Sequence, residues 1–153
     1  MRDVIIDTNI FILFLVGQIN ENKIKNYTRN SIFSKEDYYF LLNILSEYDR
    51  IITSPNILTE VDNILNGITG EDRYKYLAIV KDIYKQTIEK YLKTENVSQN
   101  WFFDILGVTD SAIIMMAKEC DLLVSGDSVL CDYAKSLDIR TFDFKEYINS
   151  KLQ

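Results

Sequence analysis

The sequence predicts an α/β sandwich of three layers, with a mostly parallel central sheet flanked by helices. Two observations carry that reading. Short apolar runs rich in branched residues are each followed by a segment of helical character. Four acids far apart in the chain, Asp7, Glu60, Asp110 and Asp127, fall where a strand ends or on a helix between strands. Alternating strands and helices pack as a parallel sheet covered on its faces. Right-handed crossovers bring the carboxyl ends of such strands to one edge, where ligands bind in open sheets.

The elements follow in order. Val4-Ile5-Ile6 reads as a buried strand ending at Asp7, with a helix from about Asn9. The run 10–16 is apolar throughout. It is too short to span a bilayer, which needs about 20 residues. Asp3, Asp7 and Asn9 are unlike the basic start of a signal peptide. A buried helix is therefore expected, and one apolar all round hides on more than one side. Either a symmetric dimer buries the surplus face, or the helix is wrapped within its own domain. Residues 20–29 are polar and loop-like. Ser34 with Asp37 resembles a capping box before a helix over 38–45. Ile51-Ile52-Thr53 is a second strand. Ser54 then caps a helix with Pro55 at its first position, which carries Glu60 and stops near Gly67. One long helix is expected over 71–93, with Leu77, Val80, Tyr84, Ile88 and Tyr91 as its apolar stripe.

Residues 96–100 break the pattern, and Trp101-Phe102-Phe103 leads into the next unit. Thr109 reads as the N-cap of a helix over 111–118. Leu122-Leu123-Val124 is a third buried strand, closing on Ser125-Gly126-Asp127. A helix over 129–136, a fourth strand over 139–142 and a last helix capped by Asp143 with Glu146 complete the chain. No repeat or interdomain linker interrupts it, so residues 1–153 are expected to form a single domain.

Composition narrows the chemistry. The net charge of −6 argues against a generally basic nucleic-acid binder and leaves room for a local patch. Lys23, Lys25 and Arg29 in the polar loop, with Arg73 and Lys75, are candidate phosphate contacts; a solvated charged face explains them equally well. The absence of histidine excludes a histidine-ligated zinc site and a histidine general base. Cys120 and Cys131 form no zinc spacing and read as the reduced thiols of a cytoplasmic protein.

Each acid has an ordinary role open to it. Asp7 can cap the helix after it, Glu60 can be solvated, Asp110 can be an N-terminal helix charge, and Asp127 can be a turn residue. Together they imply a pocket of one sign. Two like charges about 4 Å apart repel by roughly 4 kcal/mol at an effective dielectric near 20. Either some of the acids stay protonated or a divalent cation sits among them, and hard oxygen ligands suit Mg²⁺ or Mn²⁺.

Four stretches carry a resemblance. Ile5-Ile6-Asp7-Thr8-Asn9, Glu60 on the helix after the second strand, Thr109-Asp110-Ser111-Ala112-Ile113 and Leu123-Val124-Ser125-Gly126-Asp127 resemble, in order, the four blocks of PIN-domain nucleases. The family's usual Thr-x-Asp is Ser125-Gly126-Asp127 here, which keeps a hydroxyl, and its common Asp-Ala is Asp110-Ser111. The resemblance implies a ribonuclease in which these acids bind one or two Mg²⁺ or Mn²⁺ ions. Such an ion makes a nucleophile of water without histidine, and a pair about 3.5–4 Å apart stabilises both attacking and leaving oxygens. Asp7, Asp110 and Asp127 are then the expected ligands, with Glu60 on a second ion or orienting the water. Asn9 and Ser125 are expected to hold carboxylates or a phosphate oxygen, although capping and turn roles suit them too.

A small stand-alone member resembles the toxin half of a toxin–antitoxin module, held inactive by a partner peptide. A non-catalytic PIN-like scaffold binding a protein is the alternative, disfavoured because a scaffold has no need of four repelling acids. A phosphatase of the haloacid dehalogenase type, with Asp7 as nucleophile, wants a second Asp where Asn9 stands.

Overall fold

A computed structural model describes residues 1–27 and 32–152. Arg29, one of the candidate phosphate contacts, lies outside the described residues. Strand β1 (Asp3–Ile6) is fully apolar beyond Asp3 and buried along its length. Helix α1 (Thr8–Asn20) follows it directly. The stretch read as a loop winds instead into a 3₁₀ turn, Glu21–Lys23, and a short helix α2 (Ile24–Tyr27), with Ile24 anchored in the core. Helix α3 (Lys35–Leu45) opens on the expected capping box, with Ser34 and Asp37 satisfying each other's backbone N–H groups. Strand β2 (Arg50–Thr53) leads to helix α4 (Pro55–Leu65), capped by Ser54 with proline in its first turn.

The long helix predicted over 71–93 is shorter. Helix α5 (Glu71–Gln86) ends at Thr87, and Ile88–Glu89 form an edge strand, β3. Branched Thr87 is extended, and Ile88 pairs with Ile52 of β2. The expected apolar stripe fails with it. Tyr76 and Val80 are buried, whereas Leu77, Ile88 and Tyr91 are exposed. Helical periodicity carried past residue 86 because it cannot see a strand edge awaiting a partner.

A short helix α6 (Thr94–Val97) precedes α7 (Phe103–Ala117). Helix α7 is kinked at Gly107, whose φ of 79° favours glycine. Thr109 is therefore not an N-cap. Gly107 breaks the helix, and Thr109 and Asp110 lie in the first turn after the break. Strand β4 (Leu122–Ser125), helix α8 (Ser128–Ser136), strand β5 (Thr141–Asp143) and helix α9 (Phe144–Lys151) complete the fold. The last strand begins later than predicted. Asp138 adopts a positive φ, and the Ile139 N–H bonds back to Ala134, so a turn claims those residues.

The sheet has five strands, ordered β3-β2-β1-β4-β5 and all parallel. The chain starts in the centre, runs outward to β3, then returns to the other side of β1. The order reverses between β1 and β4, so the switch point lies at their carboxyl ends. At the opposite edge, Arg50 makes paired hydrogen bonds to Asp3 and holds its carboxyl below the usual range.

Ile10, Phe11, Ile12, Leu13, Leu15 and Val16 are completely buried. Helix α1 is wrapped by α3, α4 and α5 over the sheet, which is the within-domain arrangement. The surplus apolar face that motivated a dimer is absent. Among the described residues no helix is long and apolar enough to cross a membrane.

One position on α1 is tightly constrained. A Cβ on Gly17 would lie 2.1 Å from the Tyr38 ring. That ring is buried, and its hydroxyl accepts a hydrogen bond from Gln18 at 2.8 Å. Overpacking of this kind costs about 1–3 kcal/mol, against about 1 kcal/mol gained in helix propensity. Gly17→Ala is expected to lower the melting temperature; an unchanged or higher value would show that Tyr38 yields freely.

Candidate acidic site

The four predicted acids converge. Asp7, Glu60, Asp110 and Asp127, with Thr8 and Asn9, line one cavity of about 120 Å³ at the switch point. Asp7 follows β1 and Asp127 follows β4, the two strands between which the order reverses. Asp110 comes from α7, where the helix N-terminus after Gly107 favours a carboxylate. Glu60 reaches over from α4 and accepts a hydrogen bond from the Thr8 hydroxyl at 3.0 Å.

Asp7 is both a structural and a site residue. Its Oδ1 accepts from the Ile10 N–H at 3.0 Å, capping α1. Its Oδ2 accepts from the Ser125 hydroxyl and from the Gly126 N–H at 3.1 Å. The same Ser125 Oγ accepts from the Asp127 N–H at 2.9 Å, tying the ends of β1 and β4 together. Asp127 caps α8 through Oδ1, at 2.9 Å from the Val129 nitrogen and 3.2 Å from the Leu130 nitrogen. Capping and site roles, weighed separately in the sequence, coincide in both residues.

The electrostatics match a crowded anionic pocket. Burial pushes the Asp7 carboxyl up to about 6; hydrogen bonds from Ser125, Ile10 and Gly126 oppose the rise, and Asp127 adds to it. Asp110 is pushed up to about 7, first by burial, then by repulsion from Asp127, Asp7 and Glu60. Among the described residues no three acids close on one point as a ready-made metal cage.

The donor set nevertheless fits a hard divalent cation. It consists of carboxylate and amide oxygens, the ligands that suit Mg²⁺ or Mn²⁺. Asp7 and Asp110 have raised proton affinities, and a cation would compete with the proton at both. The Asn9 Oδ1 is buried in this region and meets no donor among the described residues, an orphan that an ion or its water would satisfy. Asn9 was expected to hold a carboxylate or phosphate oxygen; among the described residues it holds no carboxylate. Ser125 does hold one.

The sequence reading missed Thr8 as the support of Glu60 and the Gly126 N–H as a donor to Asp7. Thr8 sits inside Asp-Thr-Asn, so a signal existed; a backbone donor leaves none. The cations fare differently. Lys23 is ion-paired with Asp72 at 2.7 Å, and Arg73 donates to the carbonyls of Asn66 and Ile68, so both serve the fold. Lys75 is exposed on α5, and Lys25 lies on α2. Neither lines the acidic cavity.

Ser125→Ala removes a completely buried hydroxyl that bridges Asp7 and the Asp127 backbone. Leaving such partners unsatisfied costs about 1–3 kcal/mol. The expected result is a lower denaturation midpoint at unchanged m-value; no change would show that the bridge contributes nothing.

No family model matches the chain, and no curated protein matches it significantly.

Proposed function

We propose that this chain is a Mg²⁺- or Mn²⁺-dependent endoribonuclease whose active site is the acidic cavity. One observation carries the reading. Four carboxylates from four separate elements meet at the switch point of a parallel sheet, and two of them are driven toward protonation. A buried cluster of like charge opposes folding unless it binds something positive. The PIN-like order of the four blocks supports hydrolysis of RNA phosphodiester bonds as the use of that charge.

Asp7, Asp110 and Asp127 would hold one or two ions. When bound, such an ion supplies a water acidic enough to attack phosphorus near neutral pH. Asp7 is fixed by the Ser125 hydroxyl and the Gly126 N–H, so its carboxylate presents one constant orientation. Glu60, braced by Thr8, stands where it can orient the attacking water or hold a second ion. Asp110, whose proton affinity is raised, would hold such an ion in its ionised form, so binding there would strengthen as pH rises.

The test is cleavage of a mixed RNA pool with Mg²⁺ or Mn²⁺ and an EDTA control. Fragments that appear with metal and vanish with EDTA are expected. Metal-independent cleavage, or none under either ion, would overturn the reading. The resemblance to toxin-like members extends the proposal to a cytoplasmic toxin of a toxin–antitoxin module, restrained by a partner peptide. The scaffold reading has its own support. Trp101 and Ile105, each 62% exposed, and Val129, 55% exposed, offer apolar surface near the Trp101–Tyr133 ring contact. It leaves the four acids without a purpose.

A further inference from the structure

A second cavity adjoins the acids. Pro55, Asn56, Thr59, Glu60, Asn63 and Thr109 line an open groove of about 520 Å³. Glu60 lines both this groove and the acidic cavity, so the two share a wall. Asn56, Thr59, Glu60 and Asn63 recur along α4 at i, i+3, i+4 and i+7, which is one helix face. Thr109 meets them from α7, beside Asp110.

The chemistry of this lining differs from that of its neighbour. Apart from Glu60 it is made of amides, hydroxyls and a proline ring. Beside a cavity lined by four acids, a groove whose wall carries Glu60 alone repels an anionic strand less than that cavity does. Among the described residues, the side chains of Asn56, Thr59, Asn63 and Thr109 have no hydrogen-bond partner within the protein. Their donors and acceptors face a cavity of the size that small ligands fill, roughly 300–1,000 Å³. The acidic cavity, at about 120 Å³, has room for an ion, waters and a phosphoryl oxygen but not for a nucleoside.

We propose that this groove is the subsite for the nucleotide adjoining the scissile phosphate, with its base read by Asn56 and Asn63. The proposal rests on the ribonuclease reading of the acidic cavity. A side-chain amide both donates and accepts, so it can pair two-point with a base edge, as with adenine N6 and N7. The hydroxyls of Thr59 and Thr109 are suited to the ribose, where the 2′-OH separates RNA from DNA. The groove thus gives the enzyme a base preference at one position beside the cut and a preference for ribose there.

Two measurements test it. The first compares kcat/KM on four oligoribonucleotides that differ only in the base beside a fixed cleavage site, for wild type, Asn56→Leu, Asn63→Leu and the double variant. Both asparagines are exposed, and surface replacements of this kind leave folding intact. The ratio between best and worst base is expected to fall about tenfold in the double variant. The second follows backbone amide shifts of the metal-free protein on addition of each free nucleoside, an uncharged probe that the acids do not repel. Shifts are expected at Asn56, Thr59, Asn63 and Thr109, larger for ribonucleosides than for deoxynucleosides. RNA cleavage with an unchanged base ratio and silent groove amides overturns the groove and leaves the ribonuclease reading intact. Nucleoside shifts at these four residues in a protein that cleaves no RNA uphold the groove as a nucleoside site and remove the ribonuclease reading instead.

Discussion

Asp110→Asn is expected to abolish metal-dependent RNA cleavage without loss of fold stability. Asp110 is raised to about 7 by burial and by three neighbouring acids, so about half of it is protonated at neutral pH and ionising it costs the fold stability. A neutral amide of the same shape removes that cost. Cleavage should fall on the order of a thousandfold, about 4 kcal/mol of transition-state stabilisation, because an uncharged amide holds a divalent ion poorly. Asp7→Asn should lose as much activity but also stability. An amide offers one oxygen where the Ile10 and Gly126 N–H groups and the Ser125 hydroxyl now meet two, and its NH₂ must face one of those donors. That costs about 1–3 kcal/mol, roughly 3–10 °C in a chain of this size, partly offset by removal of a buried charge. Relief of repulsion alone would make the change neutral or stabilising; loss of the cap and of the Ser125 bridge outweighs it. Full cleavage by either variant, with metal present, would sink the assignment.

The metal-free protein is expected to lose stability as pH rises from about 4 to about 7. Asp7 and Asp110 have folded-state proton affinities raised above the unfolded value of 3.8. For an acid shifted upward, the folded state binds more protons than the unfolded state across the interval between the two values. Stability is therefore fully present below about pH 4 from these two groups. It is lost as pH climbs toward about 6 for Asp7 and about 7 for Asp110. At about 1.4 kcal/mol per tenfold change in proton affinity, the two rises together amount to about 7 kcal/mol. Asp3 and Asp72, lowered by their Arg50 and Lys23 partners, pull the other way below pH 4, which sets a stability optimum on the acid side of neutrality. Mg²⁺ or Mn²⁺ should raise the melting temperature far more at pH 8 than at pH 5, because protons compete with the ion at low pH. Asp110→Asn should flatten the pH slope and weaken the metal response. A melting temperature that rises from pH 5 to 8 without metal, with the same metal effect at both, would show that the acids are not coupled as placed.

The two thiols stay quiet across this range. Burial pushes Cys131 up to about 12 and Cys120 up to about 11, so both remain protonated and neither is paired in a disulfide.

The sequence by itself determined the α/β class, the caps at Ser34, Ser54 and Asp143, and the four acids as a group. These are local signals. Strand runs such as Val4-Ile5-Ile6 and Leu122-Leu123-Val124 are buried on both faces and read as continuous apolar stretches. An acid that closes such a strand is placed by topology at the edge where crossovers return, so no contact need be known in advance. Only the tertiary structure decided the rest, because it depends on pairing across distance. Ile88 became a strand because β2 had an open edge, although its own periodicity continued a helix. The apolar α1 became core because α3, α4 and α5 surround it, which its own pattern left open against a dimer. Lys23 became a structural cation because Asp72 lies beside it in the fold. The raised proton affinities of Asp7 and Asp110 exist only where burial and repulsion from neighbouring acids are set by the tertiary fold around the switch between β1 and β4. The charge of the site is written in the residues; its strength is a property of the distances between them.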